Sequence, residues 1–213
     1  MLTPDLIIAF LTLTFLEIVL GIDNIIFISI LAGRFPQDIR EKLMRIGLFL
    51  AMIMRIILLL GVNWLIQMQS TLFKIETYFF SSNVSIQGLI LLAGGLFLLY
   101  KSTKEIYNKV EEVYEKKSLE LKSSTAFSKA VFQIVLIDIV FSFDSILTAV
   151  GMTSGIPYAL LIMIAAVIIS ISIMIWFSNP ISIFINNRPS LQILGLAFLL
   201  LIGFMLITEA ASI

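Results

Sequence analysis

The chain has 213 residues, no net charge, no cysteine and no histidine; 60% of it is hydrophobic and 13% charged. A soluble domain averages about 45–50% apolar and about 25% charged, and a mean hydropathy of +1.08 means more apolar surface than a water-soluble body of this size can hide. Balanced charge gives no footprint for nucleic acid, and the missing Cys and His exclude disulfides, thiolate nucleophiles, Ser-His-Asp chemistry and Cys/His zinc sites.

In chain order, the N-terminal MLTPD carries no positive n-region, so no cleavable signal peptide is expected. Six apolar stretches follow: Leu6–Leu31, Ile46–Met68, Val84–Tyr100, Val131–Gly151, Tyr158–Phe177 and Leu191–Thr208. Phe79 and Phe80 can lengthen the start of the third. Each is close to the roughly 17–25 residues that cross about 30 Å of hydrocarbon, and a helix pairs all its backbone groups within the segment. The predicted fold is therefore all-α and integral to the membrane, with six transmembrane helices in one membrane domain.

The loops set an orientation. Arg34, Arg40, Lys42 and Arg45 follow the first stretch, seven lysines from Lys101 to Lys129 follow the third, and Arg188 follows the fifth. On the other side stands Lys74, while Arg55 lies inside the second stretch. The positive excess marks cytoplasmic loops, so both termini are expected outside, in a bacterial inner or plasma membrane. Residues 101–129 read as a mixed-charge, partly helical cytoplasmic linker. Trp64 and Trp176 suit an interfacial aromatic belt, and Asn179-Pro180 reads as a helix stop. Glu105 reads as solvated surface. Glu209 could be either solvated or part of a vestibule.

The first and fourth stretches share a pattern. Glu17-Ile-Val-Leu-Gly-Ile-Asp23-Asn24-Ile aligns without a gap on Asp138-Ile-Val-Phe-Ser-Phe-Asp144-Ser145-Ile. Both place two acids six residues apart, with a small polar residue after the second. Two successive three-span units enter the membrane from opposite faces, so the chain reads as inverted repeats, 1–100 and 130–213, around linker 101–129. Such repeats hold a shared site near the midplane. An Asp at the bilayer centre costs about 2.5–3.5 kcal/mol on insertion scales, so four acids need compensation. Arg55 can neutralise one. Protons or a cation must offset the rest, and hard oxygen donors suit Mg, Ca or Mn. The predicted metal ligands are Glu17, Asp23, Asn24, Asp138, Asp144 and Ser145, with Arg55 tuning their charge. A closed network of protonated acids with Asn24, Ser142, Ser145 and Arg55 is the purely structural alternative. Six residues turn a straight helix by about 600°, leaving the paired acids about 120° apart. Gly21 is either a kink that brings them together or a plain packing glycine, and Ser142 holds the equivalent place. Glycines 88, 94, 95, 195 and 203 read as close-packing positions.

The segments LEIVLGIDNIIFISILAGRFP and IVLIDIVFSFDSILTAVGM closely resemble those of the TerC family of integral membrane proteins, and the likeness extends over nearly the whole chain. It implies a secondary transporter that exports a divalent metal ion, Mn²⁺ foremost, with protons as the candidate coupling ion. Family members have also been associated with tellurium resistance and with supplying manganese to exported proteins. Members usually continue into a seventh span, whereas this sequence ends at Glu209-Ala-Ala-Ser-Ile. Two alternatives stand beside it: a non-transporting scaffold that assists metalation or insertion of exported proteins, and an exporter of small organic cations, for which Phe141 and Phe143 are the nearby aromatics. No nucleophile–base pair or cofactor motif is visible, so neither enzyme activity nor a permanently bound cofactor is expected. Lipid and a divalent ion are the expected partners, and oligomeric state is not encoded in any pattern found.

The orientation is testable because the chain is free of cysteine. An impermeant thiol reagent added to intact cells should label Ser212→Cys and leave Ser118→Cys unlabelled; the reverse pattern contradicts the assignment.

Overall fold

The computed structural model describes residues 4–67, 71–77, 80–111, 124–153, 155–156 and 158–212. Its elements are α1 (Pro4–Ala32), α2 (Gln37–Leu60), α3 (Val62–Gln67), β1 (Thr71–Thr77), β2 (Phe80–Ser85), α4 (Ile86–Glu111), α5 (Ser124–Met152), α6 (Ala159–Asn186) and α7 (Pro189–Ser212). All but α3 and the two strands are long and apolar enough to cross a membrane, which gives the six expected spans. Phe15, Phe132, Leu161 and Leu194 are each more than 60% exposed on these helices. Apolar surface that extensive fits lipid as the outer solvent.

The helices and hairpin fall into two compact units. In the first, α1 packs along α6, α2 packs against α5 and α6, and α1 also meets α2 and α5. Its core holds Leu13, Ile25, Leu43, Met44, Leu59, Ile134, Phe143 and Ile146, all at most 2% exposed. α1 and α6 approach closely at Gly21, where any Cβ would collide with the Met174 sulfur. α1 is helical throughout this region, and so is α5 past Ser142. Gly21 is thus a packing glycine, and the helix is not unwound there. At the end of α1, the Arg40 guanidinium donates to the carbonyls of Gly33 and Phe35 at 3.3 and 3.4 Å, closing the turn into α2.

The second unit comprises α3, the hairpin, α4 and α7. β1 and β2 pair antiparallel, with Thr77 opposite Phe80 and Lys74 opposite Asn83. Phe80 therefore opens a strand and does not extend the third span, which begins at Ile86. Here β-branched and aromatic residues bounded by Ser and Asn favour the strand. Ser85 starts α4 in the manner of an N-cap, its Oγ accepting from the Gly88 N–H at 2.9 Å. α4 and α7 touch backbone to backbone: a Cβ at Gly95 would lie 2.7 Å from the Gly203 carbonyl oxygen. Small residues allow this approach in lipid, where the contact itself drives association.

The structure differs from the sequence reading in helix boundaries and in the burial of one acid. α2 begins earlier, at Gln37, and stops at Leu60, so the second stretch divides at Gly61 into α2 and the short α3. α6 runs through Pro180 to Asn186 instead of stopping at Asn179-Pro180; proline removes one hydrogen bond from the helix, and the surrounding turns hold. The Asn179 side chain is used elsewhere, donating to Glu41 Oε1 at 3.2 Å. Glu105 is 3% exposed, not solvated. It continues the buried stripe Leu91, Leu98 and Ser102 along α4 at helical spacing. Glu209 is half-buried. Most of the central linker, residues 112–123, lies outside the described residues, while its two ends belong to α4 and α5.

Candidate functional site

Within the first unit, polar side chains meet deep among apolar ones. Glu17 stands near the middle of α1 and Asp138 at the middle of α5, so both acids lie far from either helix end. Arg55 projects from α2 between them. Its Nη1 donates to Glu17 Oε2, and its Nη2 to Asp138 Oδ1 at 3.1 Å. Its Nε donates to Ser142 Oγ at 2.9 Å. The Ser142 hydroxyl in turn donates to Asp138 Oδ2 at 3.2 Å, one turn along the same helix. Asn24 Nδ2 donates to Asp138 Oδ1, also at 3.2 Å. Arg55, Glu17, Asp138, Asn24 and Ser142 are 3, 4, 6, 7 and 0% exposed.

Three helices and a single cation thus hold two acids. An arginine keeps its charge in proteins, and its planar fork suits two carboxylates at once. With both acids ionised the cluster carries one surplus negative charge, which favours a proton or a second cation. One acceptor in the cluster is also left over: Asn24 Oδ1 is buried and, among the described residues, has no hydrogen-bond partner. A buried carbonyl oxygen without a donor costs about 1–3 kcal/mol, and it is the type of neutral oxygen that a hard cation accepts as ligand.

The structure joins Glu17, Asp138, Asn24 and Arg55, as their sequence positions suggest. Ser145 is buried beside them, but its hydroxyl donates to the Ser142 carbonyl at 3.3 Å, within its own helix. Asp23 and Asp144 lie on α1 and α5 next to Asn24 and Ser145, and their side chains are outside the described ones. Among the described residues no group of three or more acids is gathered as a metal site. Ser142 is the part the sequence reading undervalued: it stood there as the counterpart of Gly21 and as a member of the closed structural network, not among the predicted ligands. The signal was its position four residues after Asp138, which puts the two on one helix face. Phe143 is core and Phe141 half-buried.

These observations define a class, an integral membrane protein whose spanning helices bury an arginine-bridged acid pair. The sequence profile of the integral membrane protein TerC family matches residues 2–213. The chain belongs to the TerC family. It is 43% identical to a UPF0053 protein of Haemophilus influenzae over 99% of this chain and 85% of that one. It is equally identical to the UPF0053 inner membrane protein YgdQ of Escherichia coli K12, over 99% of this chain and 84% of YgdQ. The UPF0053 protein YegH of the same strain is 42% identical over 97% of this chain, which spans 37% of YegH. No solved structure matches.

The network makes an energetic prediction. Arg55→Gln leaves two buried carboxylates without their counter-charge, a change that typically costs about 3–5 kcal/mol. Adding Glu17→Gln to it should restore part of the lost thermal stability, measured on detergent-purified protein. Simple addition of the two losses, within about 0.5 kcal/mol as for independent sites, would contradict the coupling.

Proposed function

We propose that the chain is a secondary transporter that exports a divalent metal ion, Mn²⁺ foremost, across a bacterial inner membrane, with protons as the exchanged ion. The observation that carries this reading is the sharing of Arg55 by Glu17 and Asp138, one acid from each half of the chain, beside an Asn24 oxygen that has no hydrogen-bond partner among the described residues. Intramembrane acids mark ion and proton pathways by default. A cation that reaches these acids competes with Arg55 for their oxygens, and protons compete with the cation. One set of groups thereby has a loaded and an unloaded state, which an exchanger needs. Carboxylate, amide and hydroxyl oxygens suit Mn²⁺ and other hard divalent ions. Asp23 and Asp144 supply the further negative charge, with Asn24 and Ser145 as neutral ligands. The name of YgdQ as an inner membrane protein supports the membrane assigned, and both termini face outward.

The scaffold reading draws on a different aspect of the same cluster: Arg55, Glu17, Asp138 and Ser142 satisfy one another, as a purely structural clamp would. Metal flux into proteoliposomes separates the two. Asp23→Asn and Asp144→Asn should each lower Mn²⁺ flux at least tenfold while the protein still inserts. The double variant should be little worse than either single one, because both act on one site. Near-normal flux in all three would remove these acids from the mechanism and leave the scaffold reading ahead.

A further inference from the structure

Two cavities of the first unit share Leu13 as a wall residue, and Glu17 lines one of them. The outer, about 260 Å³, is formed where the start of α1 meets the end of α5, with Ala9, Thr12, Leu13, Met152 and Thr153 in its wall. The inner, about 10 Å³, has Leu13, Glu17, Ile146, Ala149 and Met163 in its wall. That is room for about one water. Leu13 borders both and is 2% exposed. Glu17 follows one helical turn later, about 6 Å along the axis. A wall residue of the outer cavity also touches one of the inner: Thr153 Oγ1 lies 3.7 Å from the Met163 sulfur. The same hydroxyl is held at 2.8 Å by the carbonyl of Ala149.

We propose that Leu13 is a hydrophobic gate between an aqueous vestibule and the Glu17 chamber. The vestibule is large enough for several waters, and the chamber holds one. A hydrated divalent ion therefore fits the first and not the second. A leucine in a narrow apolar neck excludes ions by keeping the neck dry. Passage requires its side chain to leave the space between the cavities, whereupon vestibule and chamber become continuous and water reaches Glu17. Leu13 acts on access and not as a ligand. What passes the gate rests on the transport reading; that water is held back there does not.

The test uses the absence of native cysteine and reads water access without reference to transport. Full-length protein in nanodiscs, with both faces open to solvent, is treated with a small cationic methanethiosulfonate reagent. Thr12→Cys, in the vestibule, should react readily. Ala149→Cys, in the chamber, should react slowly with Leu13 in place and at least tenfold faster with Leu13→Ala, with Leu13→Val between them. The graded Leu13→Val variant keeps the test decisive should Leu13→Ala fail to fold. An unreactive Thr12→Cys would mean that the outer cavity is not aqueous, and equal Ala149→Cys rates with Leu13 and Leu13→Val would mean that Leu13 is no barrier; either result overturns the gate. Graded rates in a protein that moves no Mn²⁺ would uphold the gate and count against the transport reading alone.

Discussion

A guanidinium held between two carboxylates in the middle of membrane-spanning helices is the constraint on which the first unit depends. Each of these charges is costly alone at that depth, and the two acids are tolerated because Arg55 is within hydrogen-bond reach of both. The requirement is geometric. α1, α2 and α5 must present Glu17, Arg55 and Asp138 at one level, and Ser142 and Asn24 must occupy the remaining donor and acceptor directions around Asp138. Hydrophobic matching does not fix this register, because in lipid one apolar helix face packs about as well as another. Hydrogen bonds to buried charge do.

The packing around the cluster serves the same register. α1 lies against α6 closely enough at Gly21 that the Met174 sulfur takes the place of a Cβ, which fixes the rotation of the face carrying Glu17 and Asn24. Farther along, Asn186 Nδ2 donates to the Ser29 carbonyl at 3.2 Å and to the Ser182 carbonyl at 2.9 Å, tying the ends of the two helices together. Elsewhere the core of this unit is apolar: Leu13, Ile25, Phe143 and Ile146 are almost wholly buried. A low-dielectric wall strengthens the Arg55 ion pairs and raises the penalty for any unmatched charge.

Much of this is legible in the sequence because the bilayer leaves few options. Long apolar runs yield the six helices, and acids within them are conspicuous. Glu17 and Asp138 stand out by their equivalent places in two similar motifs, and Arg55 as the one basic residue inside the six apolar stretches. What escaped the sequence reading depends on partners that the local pattern does not name. Glu105 looks like part of a charged surface run, but the continuation of α4 beyond the apolar stretch turns it onto the buried stripe with Leu98 and Ser102. Asn179-Pro180 has the composition of a stop, but the helix on either side is apolar enough to carry the break. The hairpin of residues 71–85 is short and lies between two spans, where span length rather than alternation governs the reading. Leu13 is one leucine among many; only the cavities on either side of it single it out.

The role proposed for the arginine-bridged acids is that of a cation site and not only a clamp. Equilibrium binding of Mn²⁺ to the purified protein, followed by loss of the free-ion paramagnetic resonance signal, tests it without any need for flux. The account predicts saturable binding to the wild-type chain, weakened at least tenfold in Glu17→Gln and in Asp138→Asn. Absence of saturable binding, or equal affinity in all three proteins, would contradict it.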